Sequence, residues 1–391
     1  MQAPAGARRH PHGIVERGVS LAWKWSAVTA ARDLEDWFDA WRFEIKRRYG
    51  LLGRLEVLPY RGHGTDRRLF LRGRVLEEKG ITRSMHDDTL WENVRNMARR
   101  FGSDEIAGAR VRATFGDVRA HVVADEEGFF DVALDLEEPP DLTNSWHAVE
   151  LELLHPNSPG AGAVRSTGHV LVPGRARFAV ISDLDDTVVH SSATNVMKMA
   201  WTVVRNNAYT RLPFPGVSAF YEALRRGPED NGLENPIFYV SSSPWNIYDL
   251  LEDFLDVHGL PAGPLFLKDW SPTTLGKHHD HKLGIIRTLL ATYPELPFVL
   301  IGDSGEEDPE IYRQAVIEHP GRIEAVFIRD VTSDERDAEV RRIAAEVEEM
   351  DTKMVAVPDS AAAAEHAASM GLISPGAPDR VRAARARATA S

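Results

Sequence analysis

The rhythm of hydrophobic and polar positions changes near residue 176. Before it, short runs such as RLEVLPYRG, RRLFLRGRVLEE, ARVRATFGDVRAHVVADEEGFFDVALDL, WHAVELELL and GHVLVP alternate apolar with polar residues and break at Gly, Asp and Pro. A period of two sends successive side chains to opposite faces, so these runs predict antiparallel strands with one buried face, as in a β-sandwich. A helical insertion, SMHDDTLWENVRNMARRFGSDEI, interrupts them. After residue 176, solid apolar runs precede amphipathic ones: RFAVIS before NVMKMAWTVVRNNAY, PIFYVSS before PWNIYDLLEDFLDVHG, PLFLKD before HKLGIIRTLLATY, PFVLIGDS before DPEIYRQAVIEHP, and IEAVFIRDV before DERDAEVRRIAAEVEEM. Strands apolar on both faces must be covered on both, which predicts an α/β fold with a doubly wound, mostly parallel sheet.

The ends read differently. Residues 1–19 are expected to form a flexible tail. Residues 20–50 carry Trp23, Trp37, Trp41 and Ile45 at near-helical spacing, which predicts an amphipathic helix stopped at Gly50. Its acidic residues Asp33, Glu35, Asp36 and Asp39 favour packing on a neighbouring domain over lying on an anionic bilayer. The expected domains are thus a β-sandwich-like unit over 51–175, an α/β unit over 176–373 and a disordered basic tail over 374–391, SPGAPDRVRAARARATAS.

Composition narrows the function classes. The chain of 391 residues is 43% hydrophobic and 27% charged, a balance suited to a soluble protein with a cytoplasmic setting. A net charge of −13 argues against a general nucleic-acid binder, which needs a broad basic face. With no cysteine, thiolate metal sites and thiol nucleophiles are excluded. No run sustains the roughly 20 apolar residues of a transmembrane segment, so membrane contact is expected to be peripheral.

The polar clusters share one position in the strand–helix pattern. Asp183, Asp185 and Asp186 follow the first parallel strand, Ser241, Ser242 and Ser243 the second, Lys268 and Asp269 the third, and Asp303 with Asp308 the fourth. In such sheets, ligands bind beyond the carboxyl ends of the strands. Carboxylates crowded there raise one another's pKa unless a cation offsets them, and an all-oxygen set selects a hard ion, most simply Mg2+. One carboxylate can attack phosphorus while Ser241 and Lys282 hold phosphoryl oxygens. The histidines of GKHHDHK suit polar loop chemistry better than a transition-metal site, and His281 beside Lys282 can help position the phosphate.

These motifs carry a resemblance. DLDDT is a DxDxT sequence, and with Ser241, Lys282 and GDSGEED in order it resembles the haloacid-dehalogenase phosphatase superfamily. ISDLDDTVVHSSATN, RLPFPGVSAFYEAL, NPIFYVSSSPWNIYDLLEDFL and LIGDSGEEDPEIY are similar to the catalytic domain of the fungal actin-patch phosphatidate phosphatases and their bacterial relatives. The resemblance implies Asp183 as nucleophile and metal ligand. It implies Asp185 as general acid and base, with its backbone carbonyl on the metal. Thr187 would fix the loop, Ser241 and Lys282 would bind phosphate, and Asp303 with Asp308 would complete the Mg2+ site. Asp186, Ser242 and His281 are supporting residues, Asp186 suiting a turn cap. A second, fold-level resemblance links GARVRATFGDVRAHVVADEEGFFDVAL to transthyretin-like modules, which makes 51–175 a scaffold or a docking surface for a protein partner.

No insertion between the motifs is long enough for a folded cap, so the rim is expected to stay open to a large substrate such as a phospholipid at a membrane surface. The implied activity is hydrolysis of phosphatidate to diacylglycerol. A phosphatase for a soluble or protein phosphomonoester is the alternative within the class, and a non-catalytic phospho-ligand binding protein is the alternative outside it.

Overall fold

The computed structural model describes residues 54–78, 105–156, 162–184, 215–229, 232–268, 278–331 and 334–390. The tail over 1–19, the helix over 20–50 and nearly all of the helical insertion lie outside the described residues, as do Asp185, Asp186 and Thr187.

Eight strands form the first sheet: β1 (Arg54–Pro59), β2 (Gly62–Gly64), β3 (Arg68–Glu78), β4 (Arg110–Phe115), β5 (Val118–Val123), β6 (Phe129–Asp135), β7 (Trp146–His155) and β8 (Arg165–Leu171). Their order is β1-β3-β2-β8-β7-β4-β5, with β6 on the free side of β3. All pairs are antiparallel except β2 with β8. Strands β5 and β6 thus stand at opposite ends of the sheet, yet only residues 124–128 join them in sequence. The sheet must curl to bring them together, and the turn closes through Asp125 N–H on the Phe129 carbonyl at 2.8 Å. Alternation in β6 and β7 sends Val132, Leu134, Val149 and Leu151 inward and charged residues outward, as the period of two requires.

The second sheet has six strands, all parallel, in the order β11-β10-β9-β12-β13-β14: β9 (Ala179–Asp183), β10 (Ile237–Pro244), β11 (Leu265–Lys268), β12 (Phe298–Asp303), β13 (Ile323–Arg329) and β14 (Lys353–Val357). The described helices are α1 (Val217–Arg226), α2 (Tyr248–Val257), α3 (His278–Thr292), α4 (Asp308–Glu318), α5 (Asp334–Glu348), α6 (Ser360–Ser369) and α7 (Ala377–Ala390). The sheet has a hydrophobic core on each face. Val180, Tyr239 and Phe327 pack into one with α1, α2 and α6; Ile181, Phe238 and Leu300 pack into the other with α3, α4 and α5. That is why β9 and β12 read as solid apolar runs.

Two expectations change here. The stretch 374–391, expected to be a disordered tail, contains α7, whose Ala377 and Val381 are buried against α1 and α6. Alanine and arginine are strong helix formers, so a segment poor in large hydrophobics still makes a helix once it has two apolar anchors. The histidine-rich stretch, expected as a loop, opens α3 at His278. Among the described residues no helix is long and apolar enough to cross a membrane.

Candidate active site

Register alone brings the predicted residues to one edge. Asp183 ends β9 opposite Val240 of β10, while Ser182 pairs with Ile301 of β12. Ser241 and Asp303 therefore flank Asp183, each beyond the level at which it ends. Leu184 N–H donates to the Val240 carbonyl at 3.0 Å and carries the pairing past the strand end. Ser182 Oγ donates to the Asp183 carbonyl at 2.9 Å and shares a hydrogen bond of 2.7 Å with the Tyr221 hydroxyl, which holds the backbone of Asp183 from α1.

A tight turn follows β12. Asp303 Oδ1 accepts from Gly305 N–H at 2.6 Å and Glu306 N–H at 3.1 Å, folding the loop back over the strand end. Asp308 then opens α4, with Pro309 in its first turn, where the helix dipole favours an anion. Its Oδ2 accepts from Asp303 N–H at 3.1 Å. The carboxylate can enter because residue 302 is glycine: a Cβ there would stand 2.1 Å from Asp308 Oδ2.

Lys282, the fifth residue of α3, reaches this cluster. Its Nζ lies 2.9 Å from Asp183 Oδ1 and 3.3 Å from Glu306, and it donates to Asp308 Oδ1. Asp308 and Lys282 are almost wholly buried. Burial pushes the Asp308 carboxyl well above the ordinary range, with Lys282 opposing and Asp183 and Asp303 adding to the rise. Burial likewise raises Glu306, with Asp183 adding. Burial pulls the Lys282 ammonium down, but Asp183 and Asp308 outweigh it and hold it well above its usual value. Crowded anions around one cation leave room for more positive charge.

One oxygen from each of Asp183, Asp303 and Asp308 lies within 4.8 Å of the others. An all-carboxylate set of this size suits a hard divalent ion such as Mg2+. Ser241 is buried at the end of β10, its Oγ accepting from Ser243 N–H at 3.0 Å, and Ser242 is half-buried beside it. His281 is half-buried next to Lys282. A cavity of about 100 Å³ opens beside Asp183 and Asp303, with Phe220, Tyr221 and Phe327 on its apolar side and Arg329 and Asp359 on its polar side.

Residues 178–330 match the family model for the catalytic domain of phosphatidate phosphatase APP1. This segment holds Asp183, Ser241, Lys282, Asp303, Glu306 and Asp308. Phosphatidate phosphatase APP1 of Saccharomyces cerevisiae is 31% identical over 156 residues, 39% of this chain and 26% of the yeast protein. An uncharacterized protein of Schizosaccharomyces pombe is 26% identical over 243 residues, 59% of this chain and 39% of its own length. The matched region thus spans well under half of either relative. Among solved structures, a carbohydrate acetylesterase from Xanthomonas citri aligns with a TM-score of 0.29 and 12% identity, over 83% of this chain and 71% of that one.

Sequence reasoning missed three contributors. Glu306 touches Lys282 from the turn after β12. Arg329, paired in register with Asp303, lines the cavity. Arg336 of α5 donates to the Ser304 carbonyl at 3.0 Å and the Glu306 carbonyl at 2.8 Å, bracing the turn from outside. A signal for Glu306 was present in GDSGEED, where two further acidic positions, Glu306 and Glu307, stand between the two that were read.

Proposed function

We propose that the chain is a Mg2+-dependent phosphomonoester hydrolase of the haloacid-dehalogenase type, which converts phosphatidate to diacylglycerol through an aspartyl-phosphate. The doubly wound class of the second sheet and the sandwich class of the first belong to the same reading. The observation that carries it is the meeting of Asp183, Lys282, Asp303 and Asp308 at adjacent parallel strand ends, inside the segment similar to a phosphatidate phosphatase catalytic domain.

In this reading Asp183 attacks phosphorus and forms a phosphoanhydride as the bond to the glycerol oxygen breaks. Asp185 gives its proton to the departing diacylglycerol oxygen. It then takes a proton from water, which attacks the phosphoaspartate, restores Asp183 and frees inorganic phosphate. Lys282 pairs with Asp183 and, with Ser241, holds the phosphoryl oxygens. Thr187 and Asp186 order the loop around Asp185, and His281 and Ser242 support their neighbours. Mg2+ held by Asp183, Asp303, Asp308 and the Asp185 carbonyl would supply charge neutralisation for the approaching phosphoryl group. Phosphatidate would be met at a membrane surface by a cytoplasmic, peripheral enzyme.

The test is phosphate release from phosphatidate in mixed micelles, beside a panel of soluble phosphomonoesters, with Mg2+ and with EDTA. The expected result is metal-dependent turnover on the lipid that Asp183→Asn lowers by roughly 10³-fold or more with the fold intact. Full activity in Asp183→Asn, or in EDTA, overturns the mechanism. Turnover confined to soluble esters overturns the lipid substrate and leaves the chemistry standing.

A further inference from the structure

The end of β10, which carries the site's serines, is gripped from the first sheet. After Ser241 and Ser243 the chain turns through Trp245–Ile247 into α2. The Tyr60 ring lies 5.3 Å from Trp245 and 4.1 Å from Tyr248. The Arg72 guanidinium lies 4.7 Å from the Trp245 ring centre and 4.8 Å from that of Phe129. Arg61 N–H donates to the Tyr248 hydroxyl at 2.7 Å. Most directly, Arg74 donates Nη1 to Asn246 Oδ1 at 3.0 Å, Nε to the Glu127 carbonyl at 2.8 Å and Nη2 to Glu105 at 2.9 Å.

Arg74 is only 7% exposed. A guanidinium pays heavily for leaving water unless its donors are used, and here three separate nitrogens are committed in different directions. That fixes the fork rigidly, so its Nη1 is a fixed point for Asn246. The other end of the segment is fixed by the second sheet, through Leu184 N–H on the Val240 carbonyl. Between these anchors lie only Ser241 to Trp245, the first four of them in β10, with Pro244 in register with Lys268 of β11 and Ser243 N–H on Ser241 Oγ. A five-residue span held at both ends has little freedom left, and a shift of one end moves Ser241.

We infer that Arg74, acting through Asn246, is a positioning residue for Ser241–Ser243 at the end of β10, so that the first sheet completes the phosphate-binding wall of the site. The inference rests on the proposed phosphatase reading for what these serines bind. It gives β3 a role beyond packing: the strand sets the height of an anion-binding hydroxyl on the other sheet.

The experiment uses the full chain with Asn246→Leu and Asn246→Asp. Asn246 is exposed, so neither change creates a core defect, and Asp keeps the acceptor for Arg74. For Asn246→Leu, the KM for p-nitrophenyl phosphate and the inhibition constant for inorganic phosphate are expected to rise about tenfold each, with kcat close to wild type and Tm lowered because Arg74 Nη1 loses its acceptor. Asn246→Asp is expected to restore both constants to within about twofold. A purely structural contact would lower Tm and spare the constants. Unchanged constants in Asn246→Leu, or no recovery in Asn246→Asp, overturn the inference while wild-type turnover still upholds the phosphatase reading. If the wild type hydrolyses no phosphomonoester, that reading fails instead, and hydrogen exchange at amides 241–248 decides. Protection unchanged by Asn246→Leu overturns the anchoring, and faster exchange confined to that segment supports it.

Discussion

Gly302 contributes to the site by lacking a side chain. A methyl group there would collide with Asp308 at its Oδ2 and, 2.6 Å away, at its Cγ. In Gly302→Ala the carboxylate must withdraw, which breaks its bond from Asp303 N–H and its contact with Lys282. Phosphate release should fall about a hundredfold or more, with a stability loss of about 1–3 kcal/mol from overpacking. Steady-state assays paired with thermal melts check this, and activity within twofold of wild type would show that Asp308 is not needed where it stands. The contrast explains what was readable. Asp183, Ser241, Asp303 and Asp308 stood out because polar residues at the ends of apolar strands have no packing reason to be there. Gly302 could not be read the same way, because its meaning is a distance to a residue on the next element. Arg329 carries no such signal, because a charge at a strand end is usually solvated.

At the level of elements, alternation and solid apolar runs carried the strand pattern, and the weakly patterned pieces were the ones misjudged. β14 is a five-residue edge strand with intermittent burial, too short to announce itself beside α5. α7 was misjudged for a different reason: its apolar stripe consists of alanines and Val381, and its arginines suggested a solvated tail. In the fold those arginines work as lateral ties. Arg385 pairs with Asp359 at 2.7 Å, and Arg382 pairs with Glu365, both acidic groups belonging to the start and flank of α6. Asp359 also caps α6 by accepting from Ala361 and Ala362 N–H at 2.9 and 3.0 Å, and it lines the cavity beside Asp183. Val381→Asp puts an unpaired charge into the contact with α1 and α6. It should cost about 3 kcal/mol or more and lower Tm by several degrees, as read by calorimetry. A variant that melts with the wild type would mean that α7 does not belong to the folded unit.

Across the whole molecule, the two sheets meet at a histidine with no acid beside it among the described residues. His63 of β2 lies 3.3 Å from the Tyr293 hydroxyl through Nδ1, and its ring packs against Phe70, Phe238 and Phe266. Burial lowers its pKa to about 4. The unfolded chain, with its histidine near 6.5, therefore takes up this proton first as pH falls. Above about pH 6.5 neither state is protonated and the contribution to stability is whole. Between about 6.5 and 4 the unfolded state gains the proton alone, and up to about 3 kcal/mol is lost. Below about 4 both states carry it and this group costs nothing further. The raised pKa values of Asp308 and Glu306 act in the opposite sense, so the wild-type profile by itself does not isolate His63. The difference between wild type and His63→Gln does, because every other titration is shared. That difference should shift in favour of the variant as pH is lowered from 7 to 4, measured by urea unfolding at each pH. A difference constant across this range would show that His63 is not held neutral between the sheets. Because the ring touches β3, β10, β11 and Tyr293, the residue after α3, its protonation should weaken both sheets in one transition, and two separated transitions at pH 4.5 would argue that the sheets unfold independently.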